Sequence, residues 1–163
     1  MSTLTQNQNE AATGVEQEQS GAALGVQSSP SSAREDAMNC RAWVLKAAKQ
    51  PMVLETVDLG PLGAEDVEVA VEYCGLCHSD LSVWNNDWGI SQYPAILGHE
   101  VVGRITALGP NAKGLEVGQR VGVGWNSGSC MHCRQCMSGS HHLCPQVQAT
   151  IVGHRGGFAT HIR

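Results

Sequence analysis

From residue 38 onward, apolar and polar positions alternate over short stretches, and glycine, proline or asparagine separates one stretch from the next. A period of two puts successive side chains on opposite faces of an extended chain. Asp66–Tyr73, DVEVAVEY, is the plainest case. The valines and Ala70 are expected on one face and the acids Asp66, Glu68 and Glu72 on the other, as in a half-buried strand. Cys40–Lys46 and Met52–Leu59 predict a hairpin pair around Ala47–Pro51. Glu100–Leu108 and Gly118–Gly124 predict two more strands, bounded by Gly109-Pro110 and Gly124, and Phe158–Ile162 opens another. Asp80–Trp84 has the length of one helical turn, and no internal repeat is present. Short strands at regular spacing with glycine turns predict a mainly β domain, built as a closed or partly open barrel.

Residues 1–37 lack this pattern. They are rich in Gln, Ser, Glu, Asn, Ala and Gly, so they are expected to be a disordered tail, with the folded domain at 38–163. Met38 is expected to be the natural start; deleting the tail should leave zinc content and melting temperature unchanged. The first basic residue is Arg34, which excludes an Arg-rich mitochondrial leader. Length and composition narrow the class. The chain's 163 residues suffice for one domain, and 19 glycines with only 4% aromatics suit turns and strands better than a helical bundle. Most of the net charge of −5 belongs to the tail, and no basic stripe exists to hold phosphates, so nucleic acid is not an expected partner. No apolar run reaches the roughly 18 residues of a membrane span. The seven cysteines are odd in number and follow no secretory signal. A reduced cytoplasmic setting is therefore expected.

The cysteines carry the chemistry. Cys130, Cys133, Cys136 and Cys144 lie in CMHCRQCMSGSHHLC with gaps of two, two and seven residues. Two-residue gaps let successive thiolates face one centre about 2.3 Å away, and a tetrahedral Zn²⁺ takes four. A closed structural zinc site is the leading reading. An iron–sulfur cluster is the rival, since Pro145 follows Cys144, but a C-x2-C-x2-C-x3-CP run needs a shorter last gap. A nucleic-acid ribbon would need basic surroundings, and only Arg134 lies inside the loop. His132, His141 and His142 read as exposed loop residues.

A second constellation comes earlier: Cys77-His78-Ser79-Asp80, then Gly98-His99-Glu100. Cys77 and His99 are metal-ligand types on separate segments, and two ligands alone leave a tetrahedral site open, as catalytic zinc requires. On its own the pair means little. Ser79 equally reads as a helix N-cap and Asp80 as a first-turn acid. Cys74-Gly-Leu-Cys77 is formally a redox C-x-x-C, but no βαβ pattern surrounds it, and a buried strand-end Cys74 is the better reading.

The run GHEVVGRITALGPNA, residues 98–112, fits G-H-E-x2-G-x5-G-x2-A. With CGLCHSD at 74–80 and the four-cysteine lobe, in this order, it resembles the zinc-dependent medium-chain alcohol dehydrogenases, closest to their cinnamyl-alcohol-dehydrogenase-like branch. The likeness runs over residues 38–163. It implies a GroES-like, partly open β-barrel with short helices and a Cys₄ zinc lobe. It implies two Zn²⁺, one structural and one catalytic. It also implies hydride exchange with NAD(P) that interconverts a primary or secondary alcohol and an aldehyde or ketone. Cys77 and His99 match the catalytic zinc ligands, and Glu100 the glutamate beside the metal. Ser79 matches the hydroxyl that takes the alcohol proton, and Asp80 the carboxylate that orients the zinc-bound histidine. His78 lies where cofactor or substrate is contacted, and Trp88 resembles a wall of the substrate pocket. Trp84 and Trp125 are expected in core or loop packing. A full-length enzyme of this kind is expected to be a homodimer or homotetramer.

Three departures stand out. No G-x-G-x-x-G in a strand–turn–helix setting is present; the glycines of GVGWNSG, 122–128, have the wrong spacing. The family's third catalytic ligand has no counterpart after residue 158, where only His161 is a ligand type and its position does not match. Where many relatives carry a histidine five residues after the first zinc cysteine, Ser82 stands. The chain is therefore expected to be a catalytic-domain fragment without its Rossmann domain. It should hold one zinc tightly and at most one weakly, with Glu100 as third ligand, and turn over little or no alcohol alone. The alternative is a truncated, non-catalytic zinc-binding module.

Overall fold

The computed structural model describes residues 40–163; the expectations for the tail and for Met38 lie outside the described residues. Alternation yields strands where it was read. β1 (Cys40–Leu45) and β2 (Val53–Val57) form an antiparallel hairpin in which Cys40 faces Val57 and Val44 faces Val53. β3 (Val67–Cys74) pairs with β5 (Val101–Leu108), which pairs with β6 (Arg120–Val123), all antiparallel. The short β4 (Ala95–Ile96) lies against β1, and β9 (His161–Ile162) against β3. β7 (Asn126–Gly128) and β8 (Gln148–Ala149) make a separate ribbon.

Two sheets result, in the orders β2-β1-β4 and β6-β5-β3-β9. Residues 158–162 join them. Trp43 N–H donates to Phe158 O (2.8 Å), Thr160 N–H to Arg41 O (2.8 Å), and Val71 N–H to Thr160 O (2.9 Å). One segment thus bridges β1 to β3. No ladder among the described residues joins β2 to β6, so the barrel is partly open, not closed. Its filling follows the period-two pattern. Val69, Val101, Ile105 and Ile162 form one buried cluster, with Val67 and Val71 against it. Leu45, Val83, Ala95, Leu97 and Ile151 form a second, and Phe158 packs on this one and on the third cluster of Ala42, Val44 and Ile96.

β3 departs from its expected faces. Ala70 is not in the cluster of the three valines, because strict alternation places it with the acids. Glu68 is 1% exposed instead of solvent-facing. The register against β5 shifts between Glu68 and Val69. The carboxylate lies against the Arg163 guanidinium (2.6 Å from Nη2) and the Thr106 hydroxyl (3.2 Å). A buried charge demands such partners.

The helical turn is longer than expected: α1 spans His78–Asn85, with Cys77 at its N-cap, so Ser79 sits inside the first turn and does not cap it. Asn86 ends α1 in the left-handed region, at φ 61°, a conformation asparagine tolerates. α2 (Arg134–Met137), a 3₁₀ turn (His141–Leu143), β4, β7 and β8 have no counterpart in the sequence reading. Two to four residues are too few to show a period.

Candidate metal centres

The first centre is the lobe between β7 and β8. All four sulfurs of Cys130, Cys133, Cys136 and Cys144 lie within 4.8 Å of one another. Cys130 and Cys136 Sγ are 3.9 Å apart, as are Cys133 and Cys144 Sγ. Sulfurs 2.3 Å from the centre of a regular tetrahedron stand about 3.8 Å apart, so the set fits zinc. The cysteines are free, not paired as disulfides. Local backbone geometry serves the sulfurs. Cys133 N–H points at Cys130 Sγ (3.3 Å), Cys136 N–H at Cys133 Sγ (3.5 Å), and Gln146 N–H at Cys144 Sγ (3.3 Å). Donors aimed at sulfur favour thiolate.

The thiols do not respond alike. The Ser129 hydroxyl, then the His141 ring and the neighbouring sulfurs, draw Cys136 down to about 5 against burial. The His132 N–H, followed by that of Cys133, lowers Cys130. Cys133 is pushed up to about 11: the Cys136 N–H pulls it down, but burial and the sulfurs of Cys136, Cys130 and Cys144 outweigh that pull. Sulfurs this close cannot all carry charge unless a cation sits among them. His132 and His142 are exposed, and His141 reaches Ser129 Oγ (3.4 Å); none of the three joins the four-sulfur group.

The second centre joins the start of α1 to the loop before β5. Ligand atoms of Cys77, His99 and Glu100 all lie within 4.8 Å of one another. His99 is buried, Cys77 half-buried and Glu100 exposed. Asp80, itself 2% exposed, ties the pieces together. Its Oδ2 accepts from Cys77 N–H (2.9 Å), and its Oδ1 accepts from Gly98 N–H (2.8 Å) and faces His99 Nδ1 (3.3 Å). Helix capping and histidine orientation are thus one residue's work. The carboxylate engages Nδ1 and leaves Nε2 as the ring nitrogen available to a metal ion. Gly98 is required by its left-handed backbone, φ +92°, and by close packing: a β-carbon there would stand 2.6 Å from Phe158 Cδ1 and 2.7 Å from Cys74 Sγ.

Trp125, expected only in core or loop packing, has a second role at the site that the sequence reading missed. Its ring meets the His99 ring edge to face, with centroids 5.0 Å apart at 87°, while it also packs on the core. Trp88 in turn meets Trp125 at 5.9 Å. The position of Trp125 two residues after the end of β6, the strand that pairs with the one following His99, was the available hint. Trp84 packs on the core and donates from Nε1 to Gln50 O (2.8 Å). A cavity of about 490 Å³ adjoins Cys77, lined by His78, Leu76, Leu81, Trp84, Leu97 and Phe158. Ser79 is half-buried in the first turn of α1, and Ser82, a turn later, is buried. Cys74 ends β3 outside both clusters. Burial pushes its thiol up, against the pull of the Glu100 backbone, and the charges of Asp80 and Glu100 add to the rise, so it favours an inert thiol over a redox partner of Cys77.

The described residues thus form a mainly β, partly open barrel that carries a four-cysteine lobe and a Cys–His–Glu cluster, two groups that could each hold a metal ion. Residues 63–163 match the alcohol dehydrogenase GroES-like domain, and the chain belongs to that family. Aldehyde reductase AdhA of Synechocystis sp. is 57% identical over 106 residues, covering 65% of this chain and 32% of the relative. The structure of CAD from Helicobacter pylori, complexed with NADP(H), superimposes with a TM-score of 0.71 at 26% identity, covering 77% of this chain and 39% of that one. A cobalt- and zinc-bound thermostable alcohol dehydrogenase from Pyrobaculum aerophilum does so with a TM-score of 0.68 at 26% identity, covering 76% and 38%. The chain spans about a third of the length of the curated relatives it matches. No helix among the described residues is long and apolar enough to cross a membrane.

Proposed function

We propose that this chain is the metal-binding catalytic part of a zinc-dependent oxidoreductase that interconverts a small primary or secondary alcohol and its aldehyde or ketone with NAD or NADP. The observation that carries the reading is the meeting of Cys77, His99 and Glu100, with Asp80 behind the histidine. Those three residues would hold the catalytic zinc, and Cys130, Cys133, Cys136 and Cys144 the structural one. Catalytic zinc, when bound, supplies a Lewis acid that polarises a substrate oxygen. The nicotinamide cofactor, when bound, supplies the hydride chemistry.

The chain's own residues do the rest. Ser79 Oγ accepts the substrate hydroxyl proton on oxidation and returns it on reduction. Ser82 in place of a histidine leaves the onward path to water or to a cofactor hydroxyl. Asp80 holds the His99 tautomer, and its negative charge makes the imidazole a better donor. Trp88 and Trp125 shield the His99 side from water, and His78 faces the neighbouring cavity, where it meets cofactor or substrate. The folded unit extends from residue 38 to the end of the sequence given, in a cytoplasmic setting.

Elemental analysis of the purified chain tests this. With zinc in excess, two ions per chain are expected, falling to one in Cys77→Ser or His99→Ala. Iron, or no metal at all, overturns the reading. Two zincs with no NADPH-dependent reduction of an aromatic aldehyde, even by the chain fused to a relative's cofactor domain, favours a non-catalytic zinc-binding module instead.

A further inference from the structure

We propose that Gly75 is a positioning residue for the Cys77–His99–Glu100 centre: its missing side chain leaves the space in which the Glu100 carboxylate reaches the other two ligands. This rests on the reading of Glu100 as third ligand. A β-carbon placed on Gly75 would overlap Glu100 Oε2 and stand 3.0 Å from Glu100 Cβ and 3.3 Å from its Cδ. These three atoms are the nearest to that position, and all belong to the one side chain. The backbones are pinned to each other, since Gly75 N–H donates to Glu100 O (2.8 Å), so the glutamate cannot withdraw by a main-chain shift.

The glycine is not there for its backbone. Gly98, in the same site, has a positive φ; Gly75 does not, so an alanine fits the main chain without strain. What an alanine would overlap outright is the carboxylate; Glu100 Cβ, at 3.0 Å, needs to give by only a few tenths of an ångström. Glu100 is exposed, and solvent is open to it once it turns away. Turning away takes the oxygen out of the cluster and leaves two protein ligands, Cys77 and His99. Residue 75 therefore sets the number of protein ligands, and with it the affinity for a divalent cation, without touching the ion.

Cobalt titration of the full chain, with zinc already held by the four cysteines, tests this. Visible absorption reports ligand number and type, and quenching of tryptophan emission gives occupancy beside Trp125. Gly75→Ala is expected to weaken Co²⁺ binding about 10-fold or more, the usual scale for residues that support a metal ligand. Glu100→Gln should do the same, and the double variant should be no weaker than either. If Glu100→Gln weakens binding and Gly75→Ala does not, the role of Gly75 is overturned while Glu100 stands. If Glu100→Gln has no effect, the ligand reading itself fails. Should Gly75→Ala melt early, Gly75→Ala/Glu100→Gly, which removes the carboxylate and the Cβ at 3.0 Å together, must melt no lower than Glu100→Gly alone; a double variant less stable than that refutes the proposal.

Discussion

Asp80 shows how one side chain carries both fold and chemistry. Its two oxygens hold the N-cap of α1, the Gly98 amide and the His99 ring from a position almost closed to water. Asp80→Asn keeps the shape but exchanges one acceptor oxygen for a donor, so it cannot satisfy both amides and the ring. A loss of about 1–3 kcal/mol is expected in denaturant melts. Metal affinity at Cys77–His99 should fall about 10–100-fold, while the four-cysteine centre keeps its ion. Chelator competition separates the two effects; equal weakening at both centres would show a general loss of fold instead. Glu68 makes the complementary case. It is a charge buried on a strand face that alternation assigns to solvent, and Arg163 is its cation. Arg163→Ala leaves that charge with only the Thr106 hydroxyl and is expected to cost about 3–5 kcal/mol. Adding Glu68→Gln should recover part of the loss, as a double-mutant cycle in urea would reveal.

At the scale of elements, the lobe and the sheets rest on different forces. Between Ser129 and Val147 only Cys136 and Cys144 are buried, whereas the sheets enclose three apolar clusters. The lobe's α2 and 3₁₀ turn are too short to persist alone. Removing metal is therefore expected to abolish hydrogen-exchange protection across 129–147 while β1, β3 and β5 stay protected. Acid should act as a chelator does. Cys136, near 9 when unfolded, is held at about 5, so the stability it contributes is present above 9 and is lost as pH falls through 5. Cys133, at about 11, gives up its proton only to an incoming cation, so protons compete with metal throughout the neutral range. Zinc retained at fixed chelator should fall steadily from pH 8 to pH 5, followed by elemental analysis of the desalted protein. Retention that does not change with pH would exclude thiolate ligation.

For the whole molecule, the strands were legible because alternation is a local record of which face is buried, and the four-cysteine centre because its ligands lie within 15 residues. The second centre was legible only through motif resemblance, since Cys77 and His99 are 22 positions apart and nothing local says that a capping aspartate joins them. The Trp125–His99 contact, the burial of Glu68 and the crossing at 158–162 were not legible, because each depends on a partner far away along the chain. The two centres also differ in kind. One has four sulfurs and amide donors around them; the other has three mixed ligands, one of them an exposed carboxylate. Fewer and more solvated ligands hold an ion less firmly, so the metals should leave in order. A mild chelator is expected to take one zinc, restoring Trp125 emission in a cobalt-exchanged sample and leaving circular dichroism unchanged. A strong chelator should then take the second, with loss of the lobe and a lower melting temperature. Metals that leave together, or a dichroism change with the first, would mean that Cys77–His99–Glu100 is not an independent site and that the open centre belongs to the scaffold.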